Sequence, residues 1–277
     1  MGKHDMEAPE IDPYVGPQSF PRLMRNAFVL YGSNFLELIL PISLPLLDHF
    51  VIRPLVREFS VTHYGRIVFG TAALNFFAQI FLHLFYIYLW TFAVTMIAWA
   101  SNEAAEGNGP SFLSIFSMRR AVQAVGIELR VVVLGILIYV PFRIFDFLLF
   151  GVLGVPIVLG DGLYLLLLLT FSLFAHLVPI WVLEDLGLLK SLARFDDISG
   201  RTLARNTVVA FVFLVFFEYM HVLPIRIEAG PAILGHAQFI IKAVLTPLLI
   251  SFLVLIYRDS LARNSGAGQR MDEAETM

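Results

Sequence analysis

The chain contains no cysteine, which excludes disulfides, iron–sulfur clusters and thiol chemistry. It is also poor in charge. Only 15% of its 277 residues are Asp, Glu, Lys or Arg, against about 25% in a soluble domain. The net charge of −3 offers no basic surface of the kind that nucleic acid requires, so no nucleic-acid partner is expected. Walker loops, G-x-S-x-G elbows and H-E-x-x-H helices are absent from the sequence, and with them the commonest phosphate, acyl-transfer and zinc-hydrolase signatures. A cleavable signal pattern is missing too. Asp5, Glu7, Glu10 and Asp12 stand where a signal would be basic, so insertion is expected to depend on the first apolar stretch.

What is abundant is apolar surface. Hydrophobic residues make up 58% of the chain and aromatics 14%. They are gathered into runs near or above the ~20 residues that a membrane span needs. Six spans are expected, at about 27–47, 67–100, 125–150, 163–183, 207–223 and 237–257. Pro41 and Pro45 interrupt the first. The second lacks proline and is roughly 50 Å long by helical rise, so it should tilt or project beyond the bilayer. Residues 101–110 read as a loop of turn formers. Residues 111–124, with Phe112, Ile115 and Phe116 on one face, and 184–206, with Leu188, Leu189, Leu192 and Phe195, read as two amphipathic helices on the membrane surface. The expected fold class is therefore all-α: a polytopic transmembrane helix bundle of about six spans with two cytoplasmic-side interfacial helices. A cytoplasmic tail over 1–26 and a disordered one over 260–277 flank the transmembrane domain at 27–259.

Orientation follows from the basic residues. With the N-terminus inside, Lys3, Arg22, Arg25, Arg119, Arg120, Lys190, Arg194, Arg201, Arg205, Arg258, Arg263 and Arg270 fall on the cytoplasmic side. Arg53, Arg57, Arg66 and Arg226 fall outside. Arg130, Arg143 and Lys242 lie in or beside spans. This bias places both termini in the cytoplasm, with the basic helices facing anionic headgroups.

Polar residues inside spans are costly, and each needs a reason. Asn75, Gln79 and His83 recur at i, i+4, i+8 and share one helix face. They form either a polar track for protons or hydrogen-bonding glue between helices. Glu37 and His176 extend the same choice, and no spacing among them specifies a metal or haem. Glu218 and Lys242 are each about 8 Å deep by helical rise if the fifth and sixth spans are antiparallel neighbours. With His221, Arg143 and Asp146 they compose an expected outer polar layer. That layer would either hold a lipid headgroup or small anion or neutralise itself as a register-fixing network. No cofactor is expected.

The stretch LVPIWVLEDLGLLKSLARFDDISGRTLARN (177–206) and the closing TPLLISFLVLIYRDSLAR (246–263) resemble a bacterial inner-membrane family related to the membrane domain of glycerophosphodiester phosphodiesterases. Pro179, Glu184, Gly187, Ser191, Arg194 and Gly200 occupy the motif positions of the first stretch. Pro247, Tyr257, Arg258 and Asp259 occupy those of the second. The chain departs from the pattern in its ARFDD run and its long second span. The resemblance implies membrane architecture rather than the phosphodiesterase activity, which belongs to a separate soluble barrel.

These features lead to an expectation of a non-enzymatic accessory or scaffold protein of the bacterial inner membrane. Its partners would be membrane lipids and, within a larger complex, other membrane-protein subunits. A transporter for a small or lipid-like anion and a cofactor-binding membrane enzyme stand as alternatives.

Overall fold

The computed structural model describes residues 18–55, 70–111, 116–148, 169–170, 172, 175–199, 204, 207–212, 215 and 231–275. They are helical wherever they are regular, and no strand occurs among them. Six helices carry the fold: α1 (Phe20–Ser33), α2 (Phe35–Leu55), α3 (Gly70–Ala105), α4 (Met118–Asp146), α5 (Leu188–Ser199) and α6 (Pro231–Glu275). Among the described residues, four segments are long and apolar enough to cross a membrane: Phe35–Leu55, Ile80–Ala105, Met118–Phe145 and Phe239–Arg263. Of the expected fourth span only 169–170, 172 and 175–183 are described, and of the fifth only 207–212 and 215.

α3 and α6 form the centre, with α1 and α2 against both and α4 against α3. In α6, 56% of the span window is buried, whereas in α4 only 11% is. α6 is thus the core helix. α4 turns Val125, Leu129, Ile136, Leu137, Val140 and Ile144 outward, a surface that suits lipid rather than water. Phe92, Ala93, Met96, Ile97 and Ala100 of α3 and Phe252 to Ile256 of α6 belong to one buried cluster. Ser101 and Ser251, both fully buried, share a 2.8 Å hydrogen bond inside it. Small side chains at such a crossing let two backbones approach.

Several boundaries differ from those expected. The expected tail over 1–26 is structured from Gln18. Leu23, Ala27 and Leu30 recur at helical spacing and bury one face of α1. α1 runs antiparallel to α6, as the Phe20–Phe252 ring pair and the 2.7 Å bond from Tyr31 to the Val244 carbonyl show. The first span is broken at Asn34, whose side chain caps the Leu30 carbonyl at 3.0 Å, before the prolines are reached. At Pro41 the helix tightens to a 3₁₀ turn, and at Asp48–Ile52 it widens to a π turn before continuing to Leu55.

α3 also runs past its expected end, to Ala105, because Ala104 and Ala105 are buried. It stops in a Schellman turn: Gly107 N–H donates to the Ala104 carbonyl and Asn108 N–H to the Glu103 carbonyl. Gly107 takes φ +81° there, which a side chain resists. Of the surface helix expected at 111–124, residues 118–124 belong to α4, which continues unbroken through Pro141; 112–115 lie outside the described residues. Of the second stretch, expected over 184–206, Leu188–Ser199 is helical as α5. α6 is helical to Glu275 where a disordered tail was expected, because no proline follows Pro247 and the two late glycines only weaken a helix.

Candidate functional site

The polar residues gather at two ends. From His236 to Arg258 along α6 is roughly 33 Å by helical rise, close to the ~30 Å of a hydrocarbon core. Among the described residues, the end carrying Arg258, where α3 stops and α4 begins, holds most of the charge.

Much of that charge is neutralised locally. Leu177–Pro179 leads into a π turn at Ile180–Glu184, which ends on Asp185 at φ 50°. The turn directs Glu184 toward α5 and α6. Arg194 Nε donates to both carboxylate oxygens at 3.0 Å, and the Tyr257 hydroxyl donates to Oε1 at 2.5 Å. In the same turn the buried Trp181 donates its indole N–H to Ser191 at 2.7 Å, and Ser191 donates to the Leu188 carbonyl. Gln123 of α4 donates to the Trp181 and Val182 carbonyls at 3.3 and 2.8 Å, carbonyls at a turn end that a regular helix would have paired internally. Along α6, Arg258 reaches Asn102 and Glu106 at 2.9 Å. The fully buried Asp259 accepts from the Gln18 backbone N–H at 2.7 Å and from Arg263 at 2.9 Å. Arg263 in turn donates to the Gln18 carbonyl at 2.6 Å, clasping the start of α1.

Beside this lock lies a cavity of about 460 Å³, bounded by Trp99 and Asn102 of α3, Ser117, Arg119, Arg120 and Gln123 at the start of α4, and Asp185. Its size falls within the roughly 300–1,000 Å³ of small-ligand pockets. The Arg120 guanidinium lies 3.4 Å from the centre of the Trp99 ring, a stacked cation–π placement that leaves its N–H edge directed away from the ring. Among the described residues neither Arg119 nor Arg120 is within ion-pair distance of a carboxylate, whereas Arg53, Arg130, Arg194, Arg258 and Arg263 each are. Of the carboxylates nearby, Asp185 lies 3.7 Å from Arg130 and Glu106 pairs with Arg258, while Glu103 accepts from Asn108 at 3.4 Å and also acts on Arg120 through its charge. Ser117 sits at the helix start without making a side-chain cap.

At the other end, the π turn of α2 puts Asp48 and Arg53 on one face at 2.8 Å. The Arg53 guanidinium stacks over Tyr86 at 3.8 Å. His49 meets His236 of α6 at 3.3 Å between ring nitrogens and stacks on Phe239. Residues 53–55, expected in a loop, are helical here.

The residues singled out from the sequence do not form one site among the described residues. Glu218 and His221 lie outside them, so the Glu218–Lys242 pair does too. Arg143 is exposed on α4 and faces Tyr139 at 5.9 Å. Asp146 ends that helix, and Lys242 is half-buried on α6, where its carbonyl accepts from Thr246. Asn75 and Gln79 are on α3 with side chains outside the description, and His83 is exposed on the same helix. Glu37 is half-buried at the start of α2. His176 is buried and stacks on Phe195 of α5, an aromatic contact within the lock. No group of three metal-ligating side chains occurs among the described residues. What sequence reading passed over was the pairing of Arg119 and Arg120 with Trp99, and the Glu184–Arg194–Tyr257 clamp. The available signal was two adjacent arginines at the start of a long, mostly apolar helix.

No family model matches the chain, and no curated protein or solved structure matches it either.

Proposed function

We propose that this chain is a non-enzymatic integral protein of a bacterial inner membrane, with both termini cytoplasmic, acting as an accessory component that contacts lipid headgroups. The observation that carries the reading is the division of charge at the α3–α4 end. Glu184, Glu106 and Asp259 there are bonded to Arg194, Arg258 and Arg263, while Arg119 and Arg120 line an open cavity with no carboxylate within ion-pair distance among the described residues; Glu103 acts on Arg120 only through its charge. The positive-inside bias assigns that end to the cytoplasmic leaflet, where anionic headgroups are found. The membrane-family resemblance of 177–263 agrees with a role in architecture: its motif residues Glu184, Ser191, Arg194, Tyr257, Arg258 and Asp259 are those that make the lock. Purification of the full chain in native nanodiscs, with lipid analysis against the parent membrane, tests the proposal. Enrichment of anionic phospholipid is expected. A lipid profile equal to the bulk membrane, together with uptake of a small solute by proteoliposomes, would replace it with a transporter.

A further inference from the structure

The cavity at the start of α4 has the chemistry of a phosphate site, and we infer that Arg119 and Arg120 bind the phosphodiester of an anionic phospholipid there. The inference rests on the lipid-contacting reading and names the site and ligand class within it. Two guanidinium groups on successive residues present planar forks of N–H donors suited to phosphate oxygens. Stacking on Trp99 at 3.4 Å fixes one fork before the ligand arrives, which lowers the ordering cost of binding. The remaining polar groups are committed elsewhere. Asn102 is held by Arg258 and Glu106, and Gln123 by the π-turn carbonyls. They shape the wall, and the arginines with Ser117 supply the donors.

Position separates a lipid from a free phosphate ester. The arginines occupy the first turn of α4, and one face of that helix, with Met118, Val122, Val125 and Leu129 exposed, is apolar and suited to the bilayer, while Gln123, Glu128 and Arg130 lie off that face. A headgroup in the cavity would leave its acyl chains along that face, where a soluble ester would gain nothing. Asp185 on the rim opposes an anion, but its charge is directed to Arg130.

Native mass spectrometry of the full chain, titrated with phosphatidylglycerol, phosphatidylcholine or glycerol 3-phosphate, tests the inference. Phosphatidylglycerol is expected to bind at least tenfold more tightly than phosphatidylcholine, and glycerol 3-phosphate is expected not to displace it. Arg119→Gln/Arg120→Gln should lose about tenfold in phosphatidylglycerol affinity. Arg119→Gln alone, at an exposed position outside the lock, should lose severalfold with an unchanged thermal midpoint. If the wild type prefers phosphatidylglycerol and the variants retain that preference, the cavity is not the site, although the lipid-contacting reading survives. No preference in the wild type overturns both. Displacement by glycerol 3-phosphate at equal concentration overturns the lipid assignment.

Discussion

Glu184 accepts three hydrogen bonds, from Arg194 and Tyr257, and so ties the π turn to both α5 and α6. Tyr257→Phe removes one charge-assisted bond at a buried site, and a loss of about 1–2 kcal/mol is expected, read as a lower thermal midpoint in detergent. Asp259 is a harsher case. It is fully buried, and Arg263 is its cation at 2.9 Å. Arg263→Ala leaves a buried carboxylate without that charge and is expected to cost about 3 kcal/mol or more, whereas Arg263→Lys should recover part of it. Hydrogen exchange of α1 amides would localise the effect, because the same arginine holds the Gln18 carbonyl. These residues were visible in the sequence as interleaved acids and bases, a pattern that suits a solvated helix face equally well. Their pairing depends on a π turn and a left-handed Asp185, which a helical-wheel reading does not contain.

At the scale of elements, the sequence made the existence of the long helices plain and left their ends uncertain. Hydrophobic run length locates the apolar middles of α3, α4 and α6, because bilayer thickness dictates how much apolar chain is needed, but α4 begins at Met118 rather than 125 and α6 runs over Pro231–Glu275 rather than 237–257. The ends are decided by packing. Ala104 and Ala105 prolong α3 because they are buried, although Ser101, Asn102 and Glu103 beside them look like loop residues. The Schellman turn that finally stops α3 gives a direct test. Gly107→Ala is expected to cost about 1 kcal/mol for its left-handed backbone. Gly109→Ala, where an added Cβ meets nothing within 4 Å, should be neutral, and chemical denaturation of the two variants in mixed micelles separates them. Loss of the Ser191 hydroxyl acts between elements: Ser191→Ala strands the buried Trp181 indole N–H, and about 1–3 kcal/mol of destabilisation is expected, visible as a shift in the tryptophan emission maximum. The expected outer layer built on Glu218, His221 and Lys242 was reached by assuming straight, neighbouring helices; its key members lie outside the described residues.

For the whole molecule, the two polar ends roughly 33 Å apart along α6 match a bilayer. The uneven burial of α4 and α6 sorts the lipid-facing helix from the core helix. The assignment of the lock and the Arg119–Arg120 cavity to the cytoplasmic leaflet comes from the charge bias along the chain, and the lipid-contacting reading depends on it. Since the chain has no cysteine, single substitutions give clean reporters. Gly109→Cys adds a thiol in open space beside the cavity's end of α3, and Leu55→Cys adds one at an exposed position at the far end of α2. Labelling intact spheroplasts with a membrane-impermeant maleimide, before and after permeabilisation, measures the orientation directly. Reaction of Leu55→Cys from outside, with Gly109→Cys reacting only once the membrane is opened, is the expected result. Reaction of Gly109→Cys in intact spheroplasts would put the arginine cavity on the outer face and contradict the account.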